Sequence, residues 1–343
     1  MNALLMPTVR SLCLLAAMCL AAHTAMAQTA TSRIVGAANH FLSTLDQTQR
    51  RNVLFAFDDE QQRARWSNLP VRSVRRAGLS MGELNDAQRS AAMALLSSAL
   101  SRRGFEKVQQ IVEADEVLKK SSGNNPMFGK DLYYFSILGT PSEQAPWMLQ
   151  FGGHHLALNI TIAGERGVLT PSLIGAQPAL YTVNGTTIRP LGQESDKAFA
   201  LLNALGDTQR KQAILNYRVA DLVLGPGQDG KTIQPEGLKA SAMNEPQKAM
   251  LLDLIAEWAG IVHESAAGAR MAEIKGGLNE TWFAWSGPTT VAPGRNGTAY
   301  YRIHGPHLVI EYAPQPLGGD PSLHVHTIYR DPTNDYGRRI TGK

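Results

Sequence analysis

Cysteine is nearly absent: 343 residues hold two, Cys13 and Cys19. Both fall in an N-terminal segment where Arg10 precedes an uncharged, mostly apolar run over 11–22, followed by Ala25-Met26-Ala27 and polar Gln28. That order reads as a secretory signal peptide, residues 1–27, cleaved after Ala27. The apolar run is about a dozen residues against the roughly 20 that span a bilayer, so no stable membrane anchor is expected. A lipid anchor at Cys19 would want a small residue before it, and Met18 stands there. A chain cut after Ala27 keeps no thiol, so it forms no disulfide and would hold a metal through His, Asp or Glu alone. The expected location is the periplasm or outside the cell.

Charge of one sign is also scarce. The formal net charge is +4, and removal of Arg10 takes it to +3, which gives no footprint for nucleic acid or an anionic membrane. Arginines crowd between 50 and 103, but Asp58, Asp59, Glu60, Glu83 and Asp86 interleave with them, and a solvated helical surface is expected there. There is no G-x-S-x-G, no G-x-G-x-x-G after a strand, no P-loop and no H-E-x-x-H. Serine-based hydrolysis and nucleotide chemistry are therefore disfavoured.

The periodicities that are present define an α+β chain. Over 86–120 apolar residues recur at helical spacing, from Ala91, Leu95 and Leu96 to Ile111 and Val112, and Gly104 is expected to divide two antiparallel helices. After the breaker 121–126, the segments 132–138, 147–151 and 155–162 are aromatic and β-branched, with a turn at 164–167. Helix returns over 194–205, after Gly206-Asp207, and over 244–263, where Asn244 can cap and Pro246 sits in the first turn. Four strands close the chain, at 281–285, 299–303, 308–312 and 323–329. Without βαβ alternation, mixed or antiparallel sheet segments packed with several helices are expected. Residues 28–343 read as one domain, helical to about 125 and mixed thereafter, with a loop over 225–240 able to cover something.

Histidine carries the chemistry. Six of the nine fall in three clusters, His154-His155, His304 with His307, and His324 with His326. In a strand, His324 and His326 project from one face about 7 Å apart at Cα, a spacing at which both can reach one ion. The third ligand is sought in Phe151-Gly152-Gly153-His154-His155-Leu156. Strand alternation sets His154 with the apolar positions and His155 with Ala157 and Asn159, and either one can be the ligand. Zinc is the first expectation, with copper and iron using the same ligands. His304 and His307 bracket Gly305-Pro306 and read as turn residues.

Around these, Glu311 lies inside an apolar strand and must meet Arg330, a histidine or a metal. Arg330 can grip a carboxylate or phosphate, and Asp331 or Asp335 can orient a histidine or act as general base. Trp282, Phe283 and Trp285 suit a ligand wall or, more simply, the core. The reading is an exported metal-dependent enzyme, a hydrolase in first place, acting on a small molecule. Its alternative is a non-enzymatic envelope module that binds a small anionic ligand or glycan.

The Gly152-Gly153-His154-His155-Leu156 stretch, Trp66-Ser67-Asn68-Leu69-Pro70, Trp285-Ser286-Gly287 and the run His324-Val-His-Thr-Ile-Tyr-Arg-Asp-Pro-Thr-Asn-Asp-Tyr-Gly337 resemble a family of exported bacterial and fungal proteins catalogued only as a domain of unknown function. The resemblance implies a single domain, draws attention to the histidines and to Glu311, Arg330, Asp331 and Asp335, and implies no activity.

Overall fold

A computed structural model describes residues 29–317 and 319–342. The signal-peptide reading of 1–27 lies outside the described residues. Ten helices are described: α1 Ala30–Thr44, α2 Gln47–Val53, α3 Glu60–Arg63, α4 Asp86–Ala99, α5 Arg102–Ser121, α6 Gly192–Ala204, α7 Asp207–Ala213, α8 Glu245–Ala259, α9 Glu264–Gly276 and α10 Arg338–Thr341. The strands are β1 Leu54–Phe55, β2 Leu79–Ser80, β3 Tyr134–Leu138, β4 Trp147–Gly153, β5 Leu156–Ala163, β6 Arg166–Val168 and β7 Ser172–Ile174. They continue with β8 Tyr181–Val183, β9 Thr186–Ile188, β10 Leu238–Lys239, β11 Trp282–Ser286, β12 Tyr300–Gly305, β13 Leu308–Pro314 and β14 Val325–Arg330.

Twelve strands join one sheet in the order β1-β3-β4-β5-β7-β14-β13-β12-β11-β10, with β2 on β3 and β6 on β5. Its pairs are antiparallel except β1 with β3. The fold is α+β, as the absence of βαβ alternation implies.

Strand alternation sorts the two faces. Phe151, Leu158, Tyr301, Ile310, Val325 and Tyr329 point into the main core with Ile34, Leu95, Leu254 and Trp258 of the helices. Each fully buried side chain of this size stabilises the fold by roughly 1.5–3 kcal/mol relative to its exposure. The other face carries Ala157, Leu173 and Ile328, covered by Trp66 and partly by Leu222, both from irregular segments. It also carries a buried amide chain: Gln62 Nε2 donates to Gln150 Oε1, and Gln150 Nε2 donates to Asn159 Oδ1 at 2.8 Å.

Helix starts follow their caps. Asn85 and Asn244 each accept from the N–H of a glutamine three residues on, and Gln88 and Gln247 reach back in reciprocal capping boxes. The helix expected over 244–263 stops at Ala259, and the unanticipated α9 begins after His263. The break between α4 and α5 falls at Leu100-Ser101, not at Gly104. Gly104 lies inside α5, where a Cβ would come within 2.3 Å of Ile261 O, so the glycine serves close packing and not a helix break. The arginine-rich segment is only partly the expected solvated surface. Arg63 and Arg76 are buried, and Arg76 donates to the carbonyls of Ser67, Leu69 and Gly153.

Candidate metal centre

The β4–β5 hairpin closes with Gly153 paired to Leu156, so His154 and His155 form the two-residue turn itself and do not lie in the strand expected at 155–162. Alternation therefore does not govern their directions. His155 takes φ 61°, a left-handed conformation that costs a non-glycine residue about 1 kcal/mol or more and is found where surrounding structure imposes it. Its backbone is fixed on both sides, its N–H donating to Asn68 O at 3.1 Å and its carbonyl accepting from Gly175 N–H at 2.7 Å.

Short β7 lies between β5 and β14, and just past it Ala176 bridges Val325. The His155 turn is thereby carried across to the start of β14. A Cβ on Gly175 would sit 2.7 Å from Val325 O and 3.3 Å from the His155 ring, so only glycine fits between the two histidine-bearing segments. The strand expected from 323 begins at Val325. His324 follows a short 3-10 turn over Pro321–Leu323, and His326 is in the strand.

His155 Nε2 lies 2.9 Å from His324 Nε2 and 3.1 Å from His326 Nε2, and the last two are 3.1 Å apart. All three residues are buried. Three nitrogens with these separations all touch a sphere of roughly 2.0–2.1 Å radius whose centre lies about 1 Å off their plane. That is the geometry in which three imidazoles can hold one ion and leave a coordination position open.

The outer nitrogens orient two of the rings. His324 Nδ1 is 2.6 Å from Leu317 O, and a carbonyl can only accept, so Nδ1 carries the proton and Nε2 the lone pair. His326 Nδ1 is 3.3 Å from Asp221 Oδ1. Carbonyl and carboxylate partners of this kind set the tautomer and heading of metal-binding imidazoles. Burial, and then the neighbouring histidines, hold His155 well below the usual imidazole range. Burial likewise lowers His324 to about 4. Asp221 is held below the usual carboxylate range, since its bonds to His326 and to Leu222 N–H outweigh a burial that alone would raise it.

His154 is turned elsewhere. Its Nδ1 meets Asp115 Oδ1 at 2.6 Å, its ring centroid lies 3.8 Å from that of His155, and its carbonyl accepts from Tyr133 Oη–H. Glu311, on β13, pairs with Ile328 two residues along from His326 and shares its face. Both its oxygens are engaged, Oε1 by Val223 N–H and Tyr300 Oη–H and Oε2 by Leu224 N–H. Burial raises its pKa against the pull of those donors and of Arg302.

Arg330, also on that face, donates to Leu224 O and Gly225 O and pairs with Asp229 and Asp335, each at 2.9 Å. Asp335 further accepts from Asp331 N–H, and Asp331 accepts from Thr333. Glu311 and Arg330 thus fasten the irregular segment 215–237, which carries Asp221 to His326. The loop expected at 225–240 is irregular as far as Gly237 and forms the later part of that cover, but Leu238 and Lys239 join the sheet as β10. Phe283 and Trp285 are in the core, and Trp282 lies under Lys239 Nζ. His307 lies in the β12–β13 turn as expected, whereas His304, also read as a turn residue, lies within β12 and pairs with Trp282 and Val309.

Sequence reasoning gave no role to Asp221, Asn68 or Gly175. Asp221 and Gly175 lie in irregular segments without periodicity. Asn68 stood within the noted Trp66-to-Pro70 stretch, and its Nδ2 sits 3.4 Å from His326 Nε2.

An α+β fold with three converging histidines on one side of a twelve-stranded sheet defines the class. The chain belongs to the family described as "Protein of unknown function (DUF3500)", which matches residues 27–338. No curated protein and no solved structure matches it. Among the described residues, no helix is long and apolar enough to cross a membrane.

Proposed function

We propose that this chain is an exported metalloprotein, periplasmic or secreted, that binds one divalent transition metal through His155, His324 and His326. The observation that carries the reading is the approach of three Nε2 atoms to within 3.1 Å of one another. Lone pairs crowded so closely repel unless an electron-pair acceptor lies among them, and a single proton can bridge only two. Zinc suits an all-imidazole set with an open fourth position, and copper or iron would use the same nitrogens.

We further read the protein as an enzyme, a hydrolase in first place, acting on a small molecule. A metal so held lowers the pKa of bound water toward neutrality. The chain's own part is to fix three imidazoles on a sheet and a hairpin, and to hold the His326 ring through Asp221.

The test is hydrolysis of a panel of p-nitrophenyl esters and phosphates by zinc-loaded and chelator-treated protein. Turnover that requires zinc and is lost in His326→Ala supports the enzyme. Tight zinc binding with no turnover of any member would overturn the hydrolase reading and leave the metal site standing.

A further inference from the structure

Three irregular segments meet at the histidine centre. One places Asn68 against His155 and His326, a second places Asp221 against His326, and a third places the Leu317 carbonyl against His324. The centre lies just beneath the surface, for its three rings are buried while Asn68 is half-buried and Asp221 exposed.

Asn68 is held by its backbone and left free at its side chain. Its carbonyl accepts from His155 N–H at 3.1 Å, which fixes it beside the turn. Its Nδ2 is 3.5 Å from His326 Nδ1 and 3.4 Å from His326 Nε2. Imidazole lone pairs point outward in the ring plane, so a nitrogen almost equally far from both stands over the ring face and in line with neither. Nδ1 already faces Asp221, and Nε2 faces the other two histidines. Among the described residues the amide has no further hydrogen-bond partner. Its N–H groups are left for an acceptor seated at the three Nε2 atoms.

The same segments carry exposed apolar side chains. Among the described residues the large hydrophobic side chains left exposed are Leu69, Tyr217, Val223 and Leu317, the last 77 % exposed. Leu69 follows Asn68, Val223 lies two residues beyond Asp221, and Leu317 supplies the carbonyl that meets His324. Exposed apolar residues scattered singly need no explanation, but a group gathered about one polar centre marks a binding surface. Small-molecule sites combine such a wall with a few placed polar groups.

The charge around the centre narrows the head group. Among the described residues, the hydrogen bonds of these histidines, of Asn68 and of the Asp221 carboxylate involve no lysine or arginine side chain. A dianionic phosphoryl head would find no counter-charge there, whereas a carbonyl oxygen needs only an electron-pair acceptor and one N–H donor.

We propose that the metal centre takes a small acyl compound, its carbonyl oxygen beside the Asn68 amide and its hydrocarbon chain on Leu69, Val223 and Leu317. The assignment rests on the metal-binding reading and gives it a substrate class, the esters or amides of apolar acids. Asn68 binds the head group, and the apolar rim sets the preference for chain length.

The test loads the full protein with cobalt(II), whose visible spectrum reports its coordination, and titrates it with acetohydroxamic and hexanohydroxamic acids and with hexylphosphonate. Expected is a tightening of at least about tenfold from the acetyl to the hexanoyl probe, as four methylenes leave water, with hexylphosphonate the weaker of the two six-carbon probes. The double variant Leu69→Ser, Leu317→Ser should bind cobalt and acetohydroxamate as wild type does and lose the chain-length gain. Asn68→Ala should keep its cobalt and weaken both hydroxamates about fivefold or more, as loss of a hydrogen bond to the head requires. Melting curves establish that each variant is folded, and the leucines, being exposed, keep the test open if Asn68→Ala is not. Failure to take up cobalt overturns the metal reading and this proposal together. With cobalt bound, the proposal alone is overturned by affinity indifferent to chain length, by a gain that survives the double variant, by hydroxamate binding unchanged in folded Asn68→Ala, or by preference for the phosphonate.

Discussion

His155 Nε2 lies 2.9 Å from His324 Nε2 across 169 residues of chain, and Gly175 is the residue that lets them meet. The carbonyl of His155 accepts from Gly175 N–H, and both Val325 O and the His155 ring lie close to where a Cβ on residue 175 would stand. Gly175→Ala forces a methyl into a gap that brings it 2.7 Å from Val325 O. The turn and β14 must separate by several tenths of an ångström. Metal affinity, measured by chelator competition, should fall about 10- to 100-fold, the range for disturbed supports of a metal site. Unchanged affinity would mean that the turn adapts without moving His155.

Ligand and scaffold roles separate within the motif His324-Val325-His326. Replacing either histidine with alanine should abolish metal binding and leave a folded protein, because Val325 supplies the core packing of that segment at 0 % exposure. Val325→Asp should do the reverse, burying an unpaired carboxylate at a cost of several kcal/mol without removing a ligand. Circular dichroism melts and metal content per folded molecule distinguish the cases. Histidine variants that lose folded protein as severely as Val325→Asp, with metal content unchanged, would contradict this division.

Asp221 is 55 % exposed at its side chain and rests on His326, so Asp221→Ala should cost little stability but lower metal affinity about 10- to 100-fold. Glu311→Leu acts on the same ring from a distance. It strips acceptors from Val223 N–H, Leu224 N–H and Tyr300 Oη–H, which should destabilise the fold by about 2–4 kcal/mol and loosen the segment that carries Asp221. Proteolysis within 215–237 should then accelerate. Equal cleavage rates in both proteins would show that Glu311 does not hold the cover.

Away from the metal centre, His304 sets an acid limit on stability. Burial, and then the nearby Arg302 charge, push its pKa down to about 4, against about 6.5 in an unfolded chain. The unfolded state therefore binds more protons between those values. The stabilisation is complete above about pH 6.5 and is lost as pH falls through about 4, by about 1 kcal/mol once partial exposure is allowed for. Urea melts at neutral pH and near pH 4 should show wild type losing that much more than His304→Gln. Equal losses would contradict the assignment.

Histidine spacing and strand composition made much of this legible. His324 and His326 were recognisable as neighbours, and Gly152-Gly153-His154-His155 pointed to the third ring. Which of His154 and His155 faces the pair was not legible, because the choice rests on a two-residue turn and strand alternation ends where the turn begins. Glu311 was marked as a carboxylate in an apolar strand that should meet Arg330, a histidine or a metal, but its oxygens are taken by Val223 N–H, Leu224 N–H and Tyr300 Oη–H. Arg330, marked as able to grip a carboxylate, pairs with Asp229 and Asp335. Their partners are backbone groups and acids of an irregular segment, which leaves no periodic trace in sequence. Asp221 was hidden for the same reason. α9 went unanticipated because Ser265-Ala266-Ala267-Gly268-Ala269 offers small residues and no apolar stripe.

The central claim is that three imidazoles share one metal ion, and elemental analysis of protein purified without an affinity tag tests it most directly. The account predicts close to one equivalent of a transition metal, zinc in first place, bound by wild type and lost together in His155→Ala, His324→Ala and His326→Ala. Less than about a tenth of an equivalent of any transition metal, with no uptake when zinc, copper or iron is titrated into chelator-treated protein, would contradict it.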